Sequence, residues 1–227
     1  MVEVKHEPTG ASEPGGHRER IRPERSAAGA RHACTDSYSC SVAGHQRNDF
    51  RRADSPFQGE STRLRAVEES DLEEINQRFW DPDVNRFLAL PWPEPLSGTR
   101  QWWEGRRASG EPTFAIETVA GELVGVCSLE DINSRARSAW LGIWIAKEHW
   151  NRGYGTEAVR LLCAFAFREM NLQRISLLVY ETNPRGRRAY EKVGFKEEGR
   201  LRRAHFVGGE HIDTLLMGLL AEDLIED

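Results

Sequence analysis

The residues best suited to chemistry are Asn151-Arg152-Gly153-Tyr154-Gly155-Thr156. They lie between an uncharged, β-branched and aromatic stretch, Ala139 to Ile145, and a long apolar run that begins at Thr156. Such an order reads as strand, tight turn, helix. Glycines at 153 and 155 permit positive φ and close approach of a ligand to the backbone. The N–H groups that open a helix have no intrahelical acceptor, and the helix dipole favours an anion there. The chemistry on offer is recognition of a pyrophosphate. The loop is neither G-x-x-x-x-G-K-[ST] nor G-x-G-x-x-G, so Walker-type and dinucleotide fingerprints are excluded. The same residues also suit a plain connecting turn, and the loop alone does not separate the two.

The elements that would position this loop follow from periodicity. Thr62 to Val67 alternates as a first strand. Ser70-x-x-Glu73 has capping-box spacing ahead of a helix with Leu72, Ile75 and Phe79 on one face, ending near Asp81-Pro82. Asp83 to Leu88 reads as a short helical turn, prolines at 91, 93 and 95 break the chain, and Ser97 to Ser109 reads as a helix. Phe114–Thr118 and Leu123–Leu129 form a hairpin through Ala120-Gly121-Glu122. The helix from Thr156 to Met170 is closed by Asn171 as a left-handed cap. Arg174 to Val179 is a strand, Asn183-Pro184 caps a helix reaching about Lys192, and Glu198–Phe206 with His211–Leu219 makes a last hairpin through Gly208-Gly209. The pattern is mixed α/β, with a mostly antiparallel sheet and one parallel crossover.

Composition sets limits. Residues 1–60 are rich in Gly, Ser, Ala, Arg and Glu and poor in large apolar side chains, and are expected to be a disordered tail. Residues 61–227 hold nearly all the large apolar side chains and form one domain. The net charge of −5 falls on this domain, because the tail is balanced. That argues against a nucleic-acid partner, which needs a basic stripe. Of four cysteines, Cys34 and Cys40 lie in the tail and Cys127 and Cys163 in apolar elements, without metal or disulfide spacing. No metal is expected. With no signal-type or membrane-length apolar run, a cytoplasmic protein that does not engage membranes is expected.

Two segments then carry a resemblance: Trp150 through Ala158, and Asn183 through Tyr190-Glu191-Lys192-Val193-Gly194-Phe195. Together with their separation by one helix and one strand, they make the chain similar to the GCN5-related N-acetyltransferases over roughly 62–220, most like the ribosomal-protein-alanine N-acetyltransferase group. The spermidine acetyltransferases belong to the same neighbourhood. The resemblance implies an α/β (α+β) acyl-CoA N-acyltransferase fold: a mixed, mostly antiparallel sheet flanked by helices, with splayed strands at the cofactor. It implies acetyl-CoA as co-substrate. Asn151, Arg152, Gly153, Tyr154, Gly155 and Thr156 would hold the pyrophosphate. Amides near Ile143 and Ile145 would meet the pantetheine arm and the acetyl carbonyl. Asn183 and Arg187, or its neighbour Arg188, would complete the cofactor site. The family's usual Gln or Arg at the loop start is Trp150 here.

By the same resemblance, Tyr190 would protonate the departing thiolate. Many family members carry a glutamate on the strand before the loop, and this strand, Ala-Trp-Leu-Gly-Ile-Trp-Ile, has none. Glu130 and Asp131, and then Glu181, are the candidates for receiving the amine's proton, with water relay as fallback. Trp92, Trp102 and Trp103 line an acceptor pocket or pack helices on the sheet; His205 and His211 read as surface or strand-pairing residues. The expected activity is direct acetyl transfer to a primary amine: a protein N-terminus, a polyamine, an aminoglycoside or another small amine. A non-catalytic acyl-CoA sensor is the alternative. A monomer or homodimer fits either.

Overall fold

The structure is a computed structural model that describes residues 55–88 and 92–225. The expected tail lies almost wholly outside these residues. Seven strands form one sheet: β1 (Thr62–Ala66), β2 (Thr113–Thr118), β3 (Leu123–Asn133), β4 (Ser138–Ile145), β5 (Arg174–Tyr180), β6 (Lys196–Val207) and β7 (Glu210–Leu220). Their order is β1-β2-β3-β4-β5-β7-β6. Every pairing is antiparallel except β4 with β5. This is the acyl-CoA N-acyltransferase architecture, with the one parallel step where the long helix α4 (Tyr154–Arg168) crosses over.

Helices cover both faces. On one face α4 sets Ala158, Val159, Leu162, Cys163 and Ala166 against Leu129, Ala139, Leu141, Ile175, Leu177 and Val179. Burial pushes the Cys127 and Cys163 thiols well above their ordinary range, so they act as small apolar groups. On the other face α1 (Leu72–Phe79), α2 (Pro82–Asn85) and α3 (Leu96–Ser109) cover Ala115, Val126, Trp144 and Ala146 with Leu72, Ile75 and Val84. Helix α5 (Pro184–Glu191) follows β5.

Several expected boundaries shift. The entry to α1 is a 3-10 turn, Glu69–Asp71, closed by the Asp71 carboxylate accepting from the Glu68 amide at 2.8 Å, rather than a Ser70–Glu73 box. Asp71 is instead drawn into a bidentate pair with Arg65, which also holds Glu117. Helix α4 starts at Tyr154 rather than Thr156, so Gly155 lies inside its first turn. Strand β3 runs on to Asn133, taking Glu130 and Asp131 into the sheet. Asn171 does adopt the left-handed conformation, with φ 57°.

The packed unit also begins ahead of residue 61. The Phe57 ring sits 4.9 Å from Phe165 and 5.3 Å from Phe114. Glu157, on the first turn of α4, accepts from the amides of Glu60 and Ser61 and from the hydroxyls of Ser61 (2.5 Å) and Thr62 (2.7 Å). Gly59 passes so close that a Cβ there would lie 2.5 Å from Glu157 Oε1. One carboxylate thus ties the start of β1 to the helix that opens the candidate site.

Burial works to raise the Glu157 pKa, and these hydrogen bonds overcome it and lower it. A lowered carboxylate contributes stability that is present above its unfolded pKa of about 4.3 and is lost as pH falls through its folded pKa. Glu157→Gln is expected to cost about 2–3 kcal/mol at neutral pH and to flatten the acid limb of the stability profile below about pH 4. Phe57→Ala, or a chain starting at residue 61, is expected to lower the melting temperature by several degrees, on the order of 2 kcal/mol. Thermal melts across pH check all three; an unchanged acid limb in Glu157→Gln would remove the carboxylate from the fold's ledger.

Candidate active site

Strands β4 and β5 pair over only three positions: Ser138 with Arg174, Ala139 with Ile175, and Trp140 with Ser176. Beyond them β4 stays bonded to β3 as far as Ile145, and β5 stays bonded to β7 as far as Tyr180. The two half-sheets therefore open as a wedge towards the strands' C-terminal ends. Ala146 donates to Val124 across the β3 side. Strand alternation then turns the amides of Ile143 and Ile145, beyond the last β4–β5 pair, into the wedge, where no strand among the described residues meets them. A free strand edge of this kind accepts an extended, amide-bearing chain.

The glycine-bearing loop at 151–156 follows the end of β4, at the open end of this wedge. A 3-10 turn, Lys147–His149, ends β4, and Asn151 (φ 61°) and Gly153 (φ 85°) take left-handed conformations before α4 begins. The first helical bond of α4 is Glu157 to the Gly153 carbonyl. Among the described residues no protein acceptor meets the amides of residues 152 to 156. These five N–H groups, with the positive end of a fifteen-residue helix, form an anion cradle. The two glycines serve it differently. Gly153 needs its φ, and the space a Cβ would enter is open. Gly155 is helical, contrary to the expectation of positive φ, and is small because a Cβ would lie 3.3 Å from Ile145 Cγ1. Beneath the loop His149 is buried, with Nε2 3.5 Å from Arg78 Nη1 and 3.5 Å from Glu122.

Across the wedge, Asn183 caps α5 by accepting from the Gly186 amide at 3.0 Å. Its Nδ2 has no partner among the described residues and can donate to a ligand. Tyr190 stands on the same helix, its ring 5.9 Å from that of Phe195. Desolvation pushes its phenol up to about 12, against a smaller opposing effect of the Arg185 charge. Arg187 is engaged by Glu191 at 2.7 Å and Glu197 at 3.4 Å. Arg188 and Arg152 carry no ion pair among the described residues.

The carboxylate candidates separate clearly. Ser128 and Glu130 share the face of Gly142, and a Cβ on Gly142 would lie 3.0 Å from both Glu130 Oε1 and Ser128 Oγ. The missing side chain leaves room directly beside Ile143, on the face covered by α1–α3. Ser128 donates to Glu130 at 2.9 Å, and the buried Arg106 bridges Glu130 to Glu111. Asp131 is exposed, at φ 48°, where β3 loses register with β4. Glu181 accepts from the Asp213 amide at 2.9 Å and binds Arg200 at 3.0 Å. Trp102 and Trp103 pack on the α1–α3 layer, whereas Trp92 is exposed. His205 stacks on Tyr180, and His211 on Phe206.

Sequence reasoning did not single out Arg185. Its guanidinium lies 3.4 Å from the Trp150 ring centroid and 5.8 Å from that of Phe87. Trp150 in turn donates its indole N–H to the Ile145 carbonyl at 2.7 Å. Arg185 stands two residues after the capping asparagine, and nothing in the local pattern marks it out. The signal was tertiary.

A wedge in a mixed sheet, a helix N-terminus at its mouth and a tyrosine on the helix opposite define an acyl-CoA-dependent transferase. The family model for the acetyltransferase (GNAT) domain matches residues 62–196. The chain belongs to this family and is an acetyl-CoA-dependent N-acetyltransferase. It is 37% identical over 103 residues to a putative ribosomal N-acetyltransferase, YdaF, of Bacillus subtilis, covering 45% of this chain and 56% of that one. It is 32% identical over 162 residues to the spermidine N(1)-acetyltransferase of Vibrio cholerae, covering 69% and 91%. The structure of spermidine N-acetyltransferase from Vibrio cholerae in complex with CoA and spermine superposes with a TM-score of 0.69 at 28% identity, covering 73% of this chain and 98% of that one. RimJ of Mycobacterium smegmatis, in complex with CoA-disulfide, superposes at 0.65 with 28% identity, over 72% and 83%. Among the described residues no helix is long and apolar enough to cross a membrane, and no His, Cys, Asp and Glu side chains gather as a metal site.

Gly153→Val is expected to raise the acetyl-CoA dissociation constant by about tenfold or more, because a β-branched residue is strained at φ 85° and pulls the cradle amides out of line. Calorimetric titration checks it. An affinity within twofold of wild type, with an unchanged melting temperature, would move the phosphate site elsewhere.

Proposed function

We propose that the chain moves the acetyl group of acetyl-CoA directly to a primary amine, with the loop at 151–156 holding the pyrophosphate and Tyr190 acting as the acid. The single observation that supports this most is the unpaired amide edge of β4, which runs out to the row of free N–H groups that opens α4. The Ile143 amide, turned into the wedge, is suited to stabilise negative charge developing on the acetyl oxygen as the amine nitrogen bonds to carbon. The C–S bond then breaks, and the sulfur takes its electron pair and the Tyr190 proton. Arg152 and Arg188 supply charge to the phosphates, Arg187 being committed to its glutamates. Asn183 Nδ2 donates to the amide-bearing arm.

The amine must arrive from the α1–α3 face, because α4 fills the other. There Glu130, with Ser128, receives its proton. Glu130, held in place by Arg106, takes a proton from the arriving ammonium and so frees the nitrogen lone pair that bonds to carbon; the second proton that nitrogen loses as the amide forms passes to solvent, from which Tyr190 is reprotonated. Asp131 plays no part in this assignment, and neither does Glu181. The relatives leave a protein N-terminus and a polyamine as the acceptor classes to be separated.

Tyr190→Phe is expected to leave acetyl-CoA affinity within about twofold and to lower kcat and kcat/KM together by about 10–100-fold, since a proton delivered only as the C–S bond breaks is a transition-state interaction. With its pKa near 12, the wild-type phenol stays protonated through pH 8–10, so no alkaline loss of rate from this group is expected in that range. Glu130→Gln is expected to lower kcat by about tenfold or more, while Asp131→Asn remains within about twofold. Steady-state kinetics from pH 6 to 10 with thiol-release detection tests all of these. Poor acetyl-CoA binding at unchanged kcat in Tyr190→Phe would make the tyrosine a packing residue.

A further inference from the structure

The Arg185 stack carries a statement about the acceptor. Arg185 is half-buried, and no carboxylate or other hydrogen-bond acceptor meets its guanidinium among the described residues. Its central carbon sits over the Trp150 ring, 3.4 Å from the centroid. Stacked in this way, an arginine keeps its in-plane N–H fork free for a planar oxyanion. A second guanidinium, Arg86, approaches the same Phe87 ring at 4.8 Å. Burial lowers the Arg185 pKa, and the Arg86 charge lowers it further. Among the described residues the only carboxylate paired with Arg86 is Asp83 at 3.7 Å, and Asp83 is itself held by Lys147. One residue before Arg86, Asn85 Nδ2 is buried without a hydrogen-bond partner. Two cations, one from the turn after α2 and one from the start of α5, thus meet at the Phe87 ring, with Asp83 the single carboxylate paired with either among the described residues. Like charges held together this way raise each other's energy unless an anion joins them.

Position decides which anion. The Ile145 side chain and Gly155 touch on the α4 face, where the phosphate cradle opens. Trp150 packs with the α1–α3 layer on the opposite face. The arginine pair is therefore on the side from which the amine arrives. Resting on the transferase reading above, we infer that Arg185 and Arg86 form an acceptor subsite for a carboxylate or phosphate carried near the reacting amine. The substrate class is an anionic primary amine, not a polycation, and Arg185 sets that specificity.

The test is acetyl transfer measured by thiol release with matched pairs: β-alanine against β-alaninamide, O-phosphoethanolamine against ethanolamine, and Ser-Glu-Ala-Ala against Ser-Gln-Ala-Ala, with spermidine as the polycation. The wild-type chain is expected to favour the anionic member of at least one pair by about tenfold or more in kcat/KM. In Arg185→Gln that ratio falls towards one while the KM for acetyl-CoA stays within about twofold, and Arg185→Lys retains part of it. Preference for spermidine or for the neutral members overturns the subsite and leaves the transferase reading standing. So does an unchanged ratio in Arg185→Gln. A raised acetyl-CoA KM with an intact acceptor ratio also overturns it, giving the anion to the cofactor. Failure of the wild-type chain to acetylate any of these amines, or any of a wider amine panel, overturns the transferase reading and the subsite together.

Discussion

An unpaired strand edge inside a protein is costly, because its amides are removed from water without a partner. Here β4 and β5 share only three residue pairs, and the site depends on why they do not share more. Each strand is fully committed on its other side, β4 to β3 and β5 to β7. Side chains from both, including Ile143, Ile145 and Val179, contribute to the layer under α4, which supports the wedge from below. The opening is built by packing and filled by ligand. On the transferase reading proposed above, a cofactor arm that supplies partners to the amides of Ile143 and Ile145 would complete the sheet, and binding energy and sheet completion would be the same interaction.

That arrangement places strict demands on the start of α4. The cradle amides must face the wedge, and the helix is fixed at its first turn by Glu157. The carboxylate reaches away from the site to the residues that lead into β1, 95 to 97 positions earlier in the chain. It satisfies four donors there and anchors the helix end without occupying the anion site. An acidic residue one turn away from an anion cradle would ordinarily repel the ligand. Committing it to hydroxyls and amides on the far side turns its charge into a structural tie and leaves the positive end of the dipole to the loop.

Most of this architecture was legible in the sequence, because local chemistry and tertiary need coincide. Gly153, Asn171 and Asn183-Pro184 occupy the conformations that their types favour. The strand and helix periods follow the two apolar layers. Where sequence misled, a long-range partner had replaced a local one. Asp71 is claimed by Arg65, so the Ser70–Glu73 spacing is not used. Phe57 packs across the sheet on Phe114 and Phe165, so a composition break at residue 61 places the boundary four residues late. Glu130 and Asp131 are neighbours in sequence, yet a register shift in β3 sends one to the acceptor face and the other to solvent. A strand pattern distinguishes faces by alternation but cannot show where the alternation breaks.

The absence of a carboxylate on β4 has a physical counterpart in Gly142. A side chain at that position would occupy the space between Ser128 and Glu130, so a carboxylate borne by β4 itself and one projecting from β3 are alternatives for the same volume. Taking the acid from β3 gives it a buried arginine partner, Arg106, that a group on the free edge would lack. The partnership holds Glu130 in one place. The proposed acceptor face is electrostatically divided, with the Glu130 carboxylate beside Gly142 and the Arg86–Arg185 pair at the Phe87 ring. An amine that carries its own negative group would bind such a face in one orientation, nitrogen inward. A uniformly cationic amine meets attraction at one end and repulsion at the other. On that division of charge, orientation of the acceptor is a property of the face itself and does not require a closing lid.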